Sequence, residues 1–233
     1  MVKVFLHIQK CGGISVGEYI KSKYKEEEYL ELYTKKIPKD LVIDSLRVKN
    51  YLESLDLSKV KIVFGHAVYN GIEEYFPNRN VEYHTILRNP VDRIISLYNF
   101  RRMGAIGHRE FPIIYQPNGS VYDFEKELKK EFFIDGRERS FLEWFVYFND
   151  RKKDEHDSQS YYDFLQWRNF EINDFNFIGN ESHIRHLPVE NQSIKYLEED
   201  RILIKNLLED FWLDDFDLYK KSFKFMKCPN YLL

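Results

Sequence analysis

Residues 5–15 read Phe-Leu-His-Ile-Gln-Lys-Cys-Gly-Gly-Ile-Ser, and this run constrains the fold more than any other. A short apolar strand meets a lysine, a glycine pair, a hydroxyl residue and then a helical pattern. Strand, tight turn and helix in that order are a building unit of parallel α/β sheets. The glycines let the backbone turn sharply and bring its N–H groups close to an anion. The helix that follows aims its N-terminus at the same place, with amides that lack intrahelical acceptors and the positive end of its dipole. Lys10 adds a full, mobile charge. In a kinase or GTPase loop the lysine follows the glycines, as in G-x-x-x-x-G-K-[ST], whereas here Lys10 precedes Gly12 and Gly13. The segment therefore reads as a phosphate cradle of another order, made by Lys10, Cys11, Gly12, Gly13, Ile14 and Ser15.

Residues 82–100 repeat the layout. An apolar strand, Tyr83 to Leu87, ends in Arg88. Asn89 suits an N-cap and Pro90 a first helical residue. Val91, Ile94, Ile95 and Tyr98 recur at helical spacing and give the helix a buried face. Arg88 stands at a strand's carboxyl end, where open α/β sheets bind ligands. Arg93 and Ser96, three apart, share a side of the helix. The segment reads as a second anion site.

Together the two segments resemble the PAPS-dependent sulfotransferases, in particular the carbohydrate O-sulfotransferase branch that includes the heparan sulfate 2-O- and 6-O-sulfotransferases. The first is similar to that family's 5′-phosphosulfate loop, commonly H-I-P-K-T-G-G-T-S. Its His-Ile-Gln-Lys form is similar to the 6-O branch. Ile14 departs from the hydroxyl residue usual there. The second resembles the 3′-phosphate motif, L-R-[DN]-P-[VI]-x-R-x-x-S-x-Y, through Leu87, Arg88, Asn89, Pro90, Val91, Arg93, Ser96 and Tyr98. Residues 175–181 are loosely similar to a late F-I-G-R-x-E strand, and residues 104–174 carry little clear family pattern.

The resemblance implies a single domain over 1–233 with a central parallel sheet flanked by helices, a P-loop-like nucleotide-binding fold. It implies 3′-phosphoadenylyl sulfate (PAPS) as donor, its desulfated product PAP, a hydroxyl acceptor on a carbohydrate, and no metal. Lys10 and the Cys11 to Ser15 amides would face the 5′-phosphosulfate. Arg88 and Ser96 would hold the 3′-phosphate. Arg93 is a secondary candidate, with a surface ion pair as the alternative.

Strand two, Val60 to Phe64, is followed by Gly65-His66-Ala67. His66 thus faces the same sheet edge as Lys10 and Arg88. Taken alone it reads as a hydrogen-bonded structural histidine. The two phosphate motifs turn it into the candidate base for an acceptor hydroxyl, because imidazole titrates near working pH. The stretch also resembles the one that carries the base in heparan sulfate relatives. His7 and His84 lie inside strands and read as packed or supporting residues. His156 is a weaker acceptor-side candidate, and His108, His183 and His186 read as surface. Glu18 and Glu73 read as solvated carboxylates.

The rest of the chain fits an α/β domain. Its 233 residues are long enough for one sizeable core. A net charge of −3 gives no global case for nucleic acid. No apolar run approaches the ~20 residues of a membrane span. The chain enters strand one without a signal-peptide pattern, so the expectation is a cytoplasmic protein or a trimmed form of an anchored one. Cys11 and Cys228 are too few for a disulfide framework. Cys11 is either a small cradle residue or an acidified nucleophile.

Further elements follow from pattern. Strand one spans Val2 to Ile8 and helix one Ile14 to about Lys25. Charged Lys21 to Glu31 reads as a solvated helix end and loop. Leu41 to Leu55 reads as helical, Ser140 to Phe148 as an aromatic-rich helix, Phe175 to Ile178 as strand four, and 193–211 as a helix. Arg101, Arg102, His108 and Arg109 form either a basic lip for an anionic sugar or a solvated loop. Trp144, Tyr147, Tyr161, Tyr162 and Trp167 are either core or stacking platforms. Two other functions stay open from residues alone. A P-loop kinase or NTPase would need a Walker loop and a Mg²⁺-holding aspartate. A non-catalytic nucleotide- or glycan-binding module would not need Lys10 and His66 together.

Overall fold

The computed structural model describes residues 1–33, 46–69, 71–102, 177–180, 198–211 and 213–223. Its strands are β1 (Val2–Leu6), β2 (Tyr29–Glu31), β3 (Ile62–Gly65), β4 (Val81–Leu87) and β5 (Phe177–Asn180). Its helices are α1 (Gly13–Lys23), α2 (Leu46–Glu53), α3 (Pro90–Arg102), α4 (Glu198–Phe211) and α5 (Leu213–Ser222). The strands form one five-stranded sheet in the order β2-β3-β1-β4-β5. Every pairing is parallel. The α/β class and the parallel sheet anticipated from sequence are what the chain forms.

Alternation within the strands sorts side chains to two faces. Phe5, Ile62, Phe64 and Ile86 pack with Val16 and Ile20 of α1 on one face. Val4, Leu6, Val63 and Leu87 pack on the other with Val48 and Leu52 of α2 and Leu218 of α5. Covering both faces explains why β1 and β3 are near-continuous apolar runs. A further cluster ties Val91, Ile94, Ile95 and Leu97 of α3 to Ile204, Leu207 and Leu208 of α4. Asn89 caps α3 as its sequence predicts: its Oδ1 accepts from the amides of Val91 (3.0 Å) and Asp92 (3.4 Å).

Topology makes the crevice. β1 lies between β3 and β4, with Leu6 in register with both Gly65 and Thr85. The chain first builds the β3 side, then crosses β1 to start β4. Such a reversal opens a cleft at the strands' carboxyl ends. The loops after β1, β3 and β4, with Lys10, His66 and Arg88, leave the sheet there.

Several boundaries differ from the sequence reading. Residues 25–31 are not a solvated helix end. α1 stops at Lys23, a 3₁₀ turn covers Glu26–Glu28, and β2 follows as an edge strand. Pairing with Ile62 to Phe64 and burial of Leu30 make this strand, and neither is visible locally. β5 pairs through Phe177 to Asn180 with His84 to Leu87 and runs two residues past the expected end at Ile178, while 175 and 176 lie outside the described residues. α5 was not anticipated. Residues 41–45, 140–148 and 193–197 lie outside the described residues.

Gly65 closes β3 at φ 148°, and a Cβ there would stand 2.1 Å from the Leu32 carbonyl oxygen. That carbonyl accepts the Ala67 amide at 2.9 Å, so the chain leaving β2 is pressed against the end of β3. Gly65→Ala should cost at least about 1–3 kcal/mol from backbone conformation alone, with the clash added. Urea unfolding of the variant measures this. An unchanged midpoint would mean that the close approach at Leu32 is not maintained.

Candidate active site

The loop between β1 and α1 is shaped residue by residue. The Cys11 amide donates to the Ile8 carbonyl (3.3 Å) and closes a tight turn. Lys10 takes φ 63° and Gly12 φ 82°, both left-handed. Gly12 is the N-cap of α1, and its carbonyl accepts the Val16 amide at 3.2 Å. Gly13, Ile14 and Ser15 form the first turn of α1, so its opening amides and the positive end of the helix dipole stand at this loop. Cys11 is buried at 3% exposure and its amide serves the turn, whereas the Ile14 side chain is 48% exposed at the helix start. Gly13 has its own reason to be glycine: a Cβ would fall 1.8 Å from the His7 ring.

Carbonyls of this loop are held from behind by the second motif. Arg88 Nη1 donates to the Lys10 carbonyl at 3.3 Å, and Arg93 Nε donates to the Gln9 carbonyl at 3.2 Å. Arg93 is only 1% exposed, so the surface ion pair weighed from sequence is replaced by a buried tie between α3 and the loop. Because Arg93 reaches Gln9, the α3 face it shares with buried Ser96 looks toward the same loop. With the carbonyls of Ile8, Gln9 and Lys10 committed, the loop offers Lys10, the first turn of α1 and Arg88 as its positive features. Burial, then the neighbouring Arg88 cation, lower the Lys10 ammonium to about 8, with Cys11 acting weakly the other way.

His66 follows β3 directly and is half-buried. Its Nδ1–H donates to the His7 backbone carbonyl, so the neutral ring keeps its basic lone pair on Nε2. The ring stacks on His7 with centroids 4.2 Å apart and planes 29° apart. His7 is buried, and its Nδ1 lies 2.7 Å from the Tyr33 hydroxyl. Burial, then His66, then Lys10, hold His7 well below the usual histidine range. Tyr33 also sets its ring edge-on to His66 at 5.0 Å. Burial and then Glu31 push its phenol upward. The sequence reading missed Tyr33 because it missed β2, two residues before it.

Other candidates are occupied elsewhere. Glu73 accepts from the Tyr83 hydroxyl and from the Gly71 amide (3.0 Å). Glu18 pairs with Lys21 at 3.0 Å on the exposed side of α1. His84 is buried in β4 with Nε2 3.6 Å from Glu82. Arg101 and Arg102 end α3. His108, Arg109, Trp144, Tyr147, His156, Tyr161, Tyr162, Trp167, His183, His186 and Cys228 lie outside the described residues.

An amide-and-lysine cradle, a neighbouring arginine and an oriented imidazole at one sheet edge define an α/β protein equipped for group transfer from an anionic donor. The family model described as the sulfotransferase family matches residues 2–179, and the chain belongs to that family. No curated protein matches it. Membership makes sulfuryl transfer the general activity.

The depressed Lys10 value has a direct test. Its side-chain ¹⁵N or ¹³Cε resonance should titrate near pH 8 rather than near 10.5. Arg88→Met should move the midpoint upward by removing the adjacent cation. Since the folded value lies below the unfolded one, the unfolded chain holds more protons between about pH 8 and 10.5. The Lys10 contribution to stability should therefore rise with pH across that window. Titration near 10.5 in the native protein would show an ammonium in open water.

Proposed function

We propose that this protein transfers the sulfuryl group of PAPS to a hydroxyl of a carbohydrate acceptor, with His66 as general base and Lys10 at the developing negative charge. The observation that carries this reading is the juxtaposition of the Lys10 loop with His66. The two leave neighbouring strands, and His7 lies between them, sensing both electrostatically. When bound, PAPS supplies an activated sulfuryl group whose leaving group is the phosphate of PAP.

The chain's own residues then have distinct tasks. His66 Nε2 accepts the acceptor hydroxyl proton as that oxygen bonds to sulfur and the bond from sulfur to the phosphate oxygen breaks. Lys10 and the amides of Gly12, Gly13, Ile14 and Ser15 meet the charge that builds on that leaving oxygen. Ser15 adds a hydroxyl to the 5′-phosphate. Arg88 and Ser96 receive the 3′-phosphate, consistent with Arg88 at the end of β4 and Ser96 on the α3 face that looks toward the loop. A polyanion suits this cradle, whose two facing cations raise each other's electrostatic cost until an anion arrives. The carbohydrate acceptor rests on the resemblance of the His-Ile-Gln-Lys loop and the Gly65-His66-Ala67 stretch to glycan O-sulfotransferases.

Transfer from ³⁵S-labelled PAPS to a panel of oligosaccharides, phenols and steroids tests the whole reading. His66→Ala and Lys10→Ala should nearly abolish turnover while PAP affinity stays within about tenfold, ~1.4 kcal/mol. Arg88→Ala and Ser96→Ala should each weaken PAP by about 1–3 kcal/mol and leave 5′-AMP, which lacks the 3′-phosphate, almost unaffected. Full turnover in His66→Ala would remove the base. Equal losses for PAP and 5′-AMP would remove the 3′-phosphate assignment.

The acceptor class has its own outcome. Oligosaccharides should accept the label and simple phenols should not. For an anionic sugar, apparent affinity should fall as salt rises to physiological strength, where the Debye length is about 8 Å. Strong transfer to phenols or steroids alone would overturn the carbohydrate assignment and leave sulfuryl transfer standing.

A further inference from the structure

Three aromatic rings meet at the carboxyl ends of β1, β2 and β3, and only one of them has a task so far. His66 stacks on His7 at 4.2 Å, the Tyr33 ring stands edge-on to both, and the Tyr33 hydroxyl lies 2.7 Å from His7 Nδ1. His7 touches the candidate base twice, by its ring face and by the backbone carbonyl that accepts His66 Nδ1–H. It also touches the donor loop, since its ring fills the space a Gly13 side chain would need. His7 is buried and touches both base and cradle, so a change in its charge or angle is felt at His66.

We propose that His7 and Tyr33 are positioning residues for His66: the His7 carbonyl sets its tautomer, and the His7 ring, held by Tyr33, sets its angle. This inference rests on the reading of His66 as the base. The Tyr33 hydroxyl donates to His7 Nδ1, which fixes the His7 ring and assigns its proton to Nε2. A phenol is the better donor and an imidazole nitrogen the better acceptor, so the bond runs in that direction. His7 then remains neutral. A His7 cation would lie at stacking distance from the imidazolium that forms on His66, with the Lys10 charge nearby, and would oppose the proton transfer. Among the described residues, the titratable groups that act on His7 are His66, Lys10 and Tyr33, with Glu31 acting on Tyr33. Burial of His7 and protonation of Tyr33 both work toward the neutral ring.

Tyr33→Phe is the informative variant, because it keeps the ring contacts and removes only the hydroxyl. A general base contributes about 10²–10⁴ in rate, and a base that has lost its alignment should forfeit about tenfold of that in kcat. KM for PAPS and the acceptor, and the affinity for PAP, should stay within twofold. Ring ¹⁵N shifts should show His66 protonated on Nδ1 and His7 on Nε2 in the native protein. In Tyr33→Phe the His7 pattern should change, and the His66 shifts should move with its ring angle while Nδ1 stays protonated against the His7 carbonyl. His7→Asn, which keeps a polar atom for Tyr33 but removes the stacked ring, should lower kcat in the same way and guards against a folding failure of the first variant. Native kcat with unchanged ¹⁵N shifts in Tyr33→Phe would overturn the proposal. So would a loss of PAP affinity in step with kcat, which would make the pair a support of the donor loop. His66→Gln at full turnover would instead sink the base reading alone, and the His66 ¹⁵N spectrum of Tyr33→Phe would still decide whether the pair positions that ring.

Discussion

Two arginine donors decide which way the β1–α1 loop faces. A peptide loop carries as many carbonyls as amides, and carbonyls turned into the cleft would repel an anion. Arg88 and Arg93 take the carbonyls of Lys10 and Gln9, and the Cys11 amide takes that of Ile8. What remains at the cleft is positive. The twist this requires is not free: Lys10 sits at φ 63°, a conformation costing about 1–2 kcal/mol for a residue with a side chain. A hydrogen bond from a charged donor contributes about 1.5–3 kcal/mol, so one such bond offsets the twist and the second secures it. The two sequence motifs are therefore one mechanical unit, joined by bonds spanning 78 and 84 residues.

Glycine placement serves the same end. Gly12 caps α1 in a left-handed conformation, Gly13 admits the His7 ring, and Gly65 admits the Leu32 carbonyl. The last two contacts bring chain segments from β1, β2 and β3 closer than any side chain would allow. This is why a histidine after β1, a histidine after β3 and a tyrosine after the edge strand β2 can meet in one cluster, the histidines stacked and the tyrosine edge-on. Parallel pairing alone sets strands ~4.8 Å apart and does not by itself bring their exit loops together.

Much of this was legible in sequence because it is local. The strand–turn–helix signal of residues 5–15, the Asn89-Pro90 helix start and the apolar faces of the strands depend on near neighbours, and all appear in the fold. What was not legible depends on contacts across the chain. β2 is three residues long and follows three glutamates, so its alternation is too brief to register, and its pairing with β3 creates it. Tyr33 was lost with it. Arg93 reads as exposed because a helical arginine usually is. Its burial depends on the Gln9 carbonyl, which lies at the end of a different strand–loop unit. Arg93, read from sequence as a secondary anion-site candidate or a surface ion pair, is thus buried by tertiary context, since arginine buries its guanidinium where carbonyls or carboxylates meet it.

The electrostatics of the edge follow from the same construction. Arg88 is fixed beside Lys10 by its bond to the Lys10 carbonyl, and that proximity, added to burial, is what lowers the ammonium to about 8. At neutral pH both groups still carry charge, so the folded protein holds two cations near one another. An anion between them would relieve that repulsion and draw the Lys10 value back up, which is a gain unavailable to a neutral ligand. His7, next to this pair, shifts in the same direction, and because an imidazole starts from a lower range, burial, then His66 and Lys10, leave it uncharged. The edge thus sorts its titratable groups: positive where the loop opens, neutral where His7 stacks on His66. In the reaction proposed above, the acceptor proton would meet a basic nitrogen on the neutral side, and the negative charge building on the leaving phosphate oxygen would meet cations on the other.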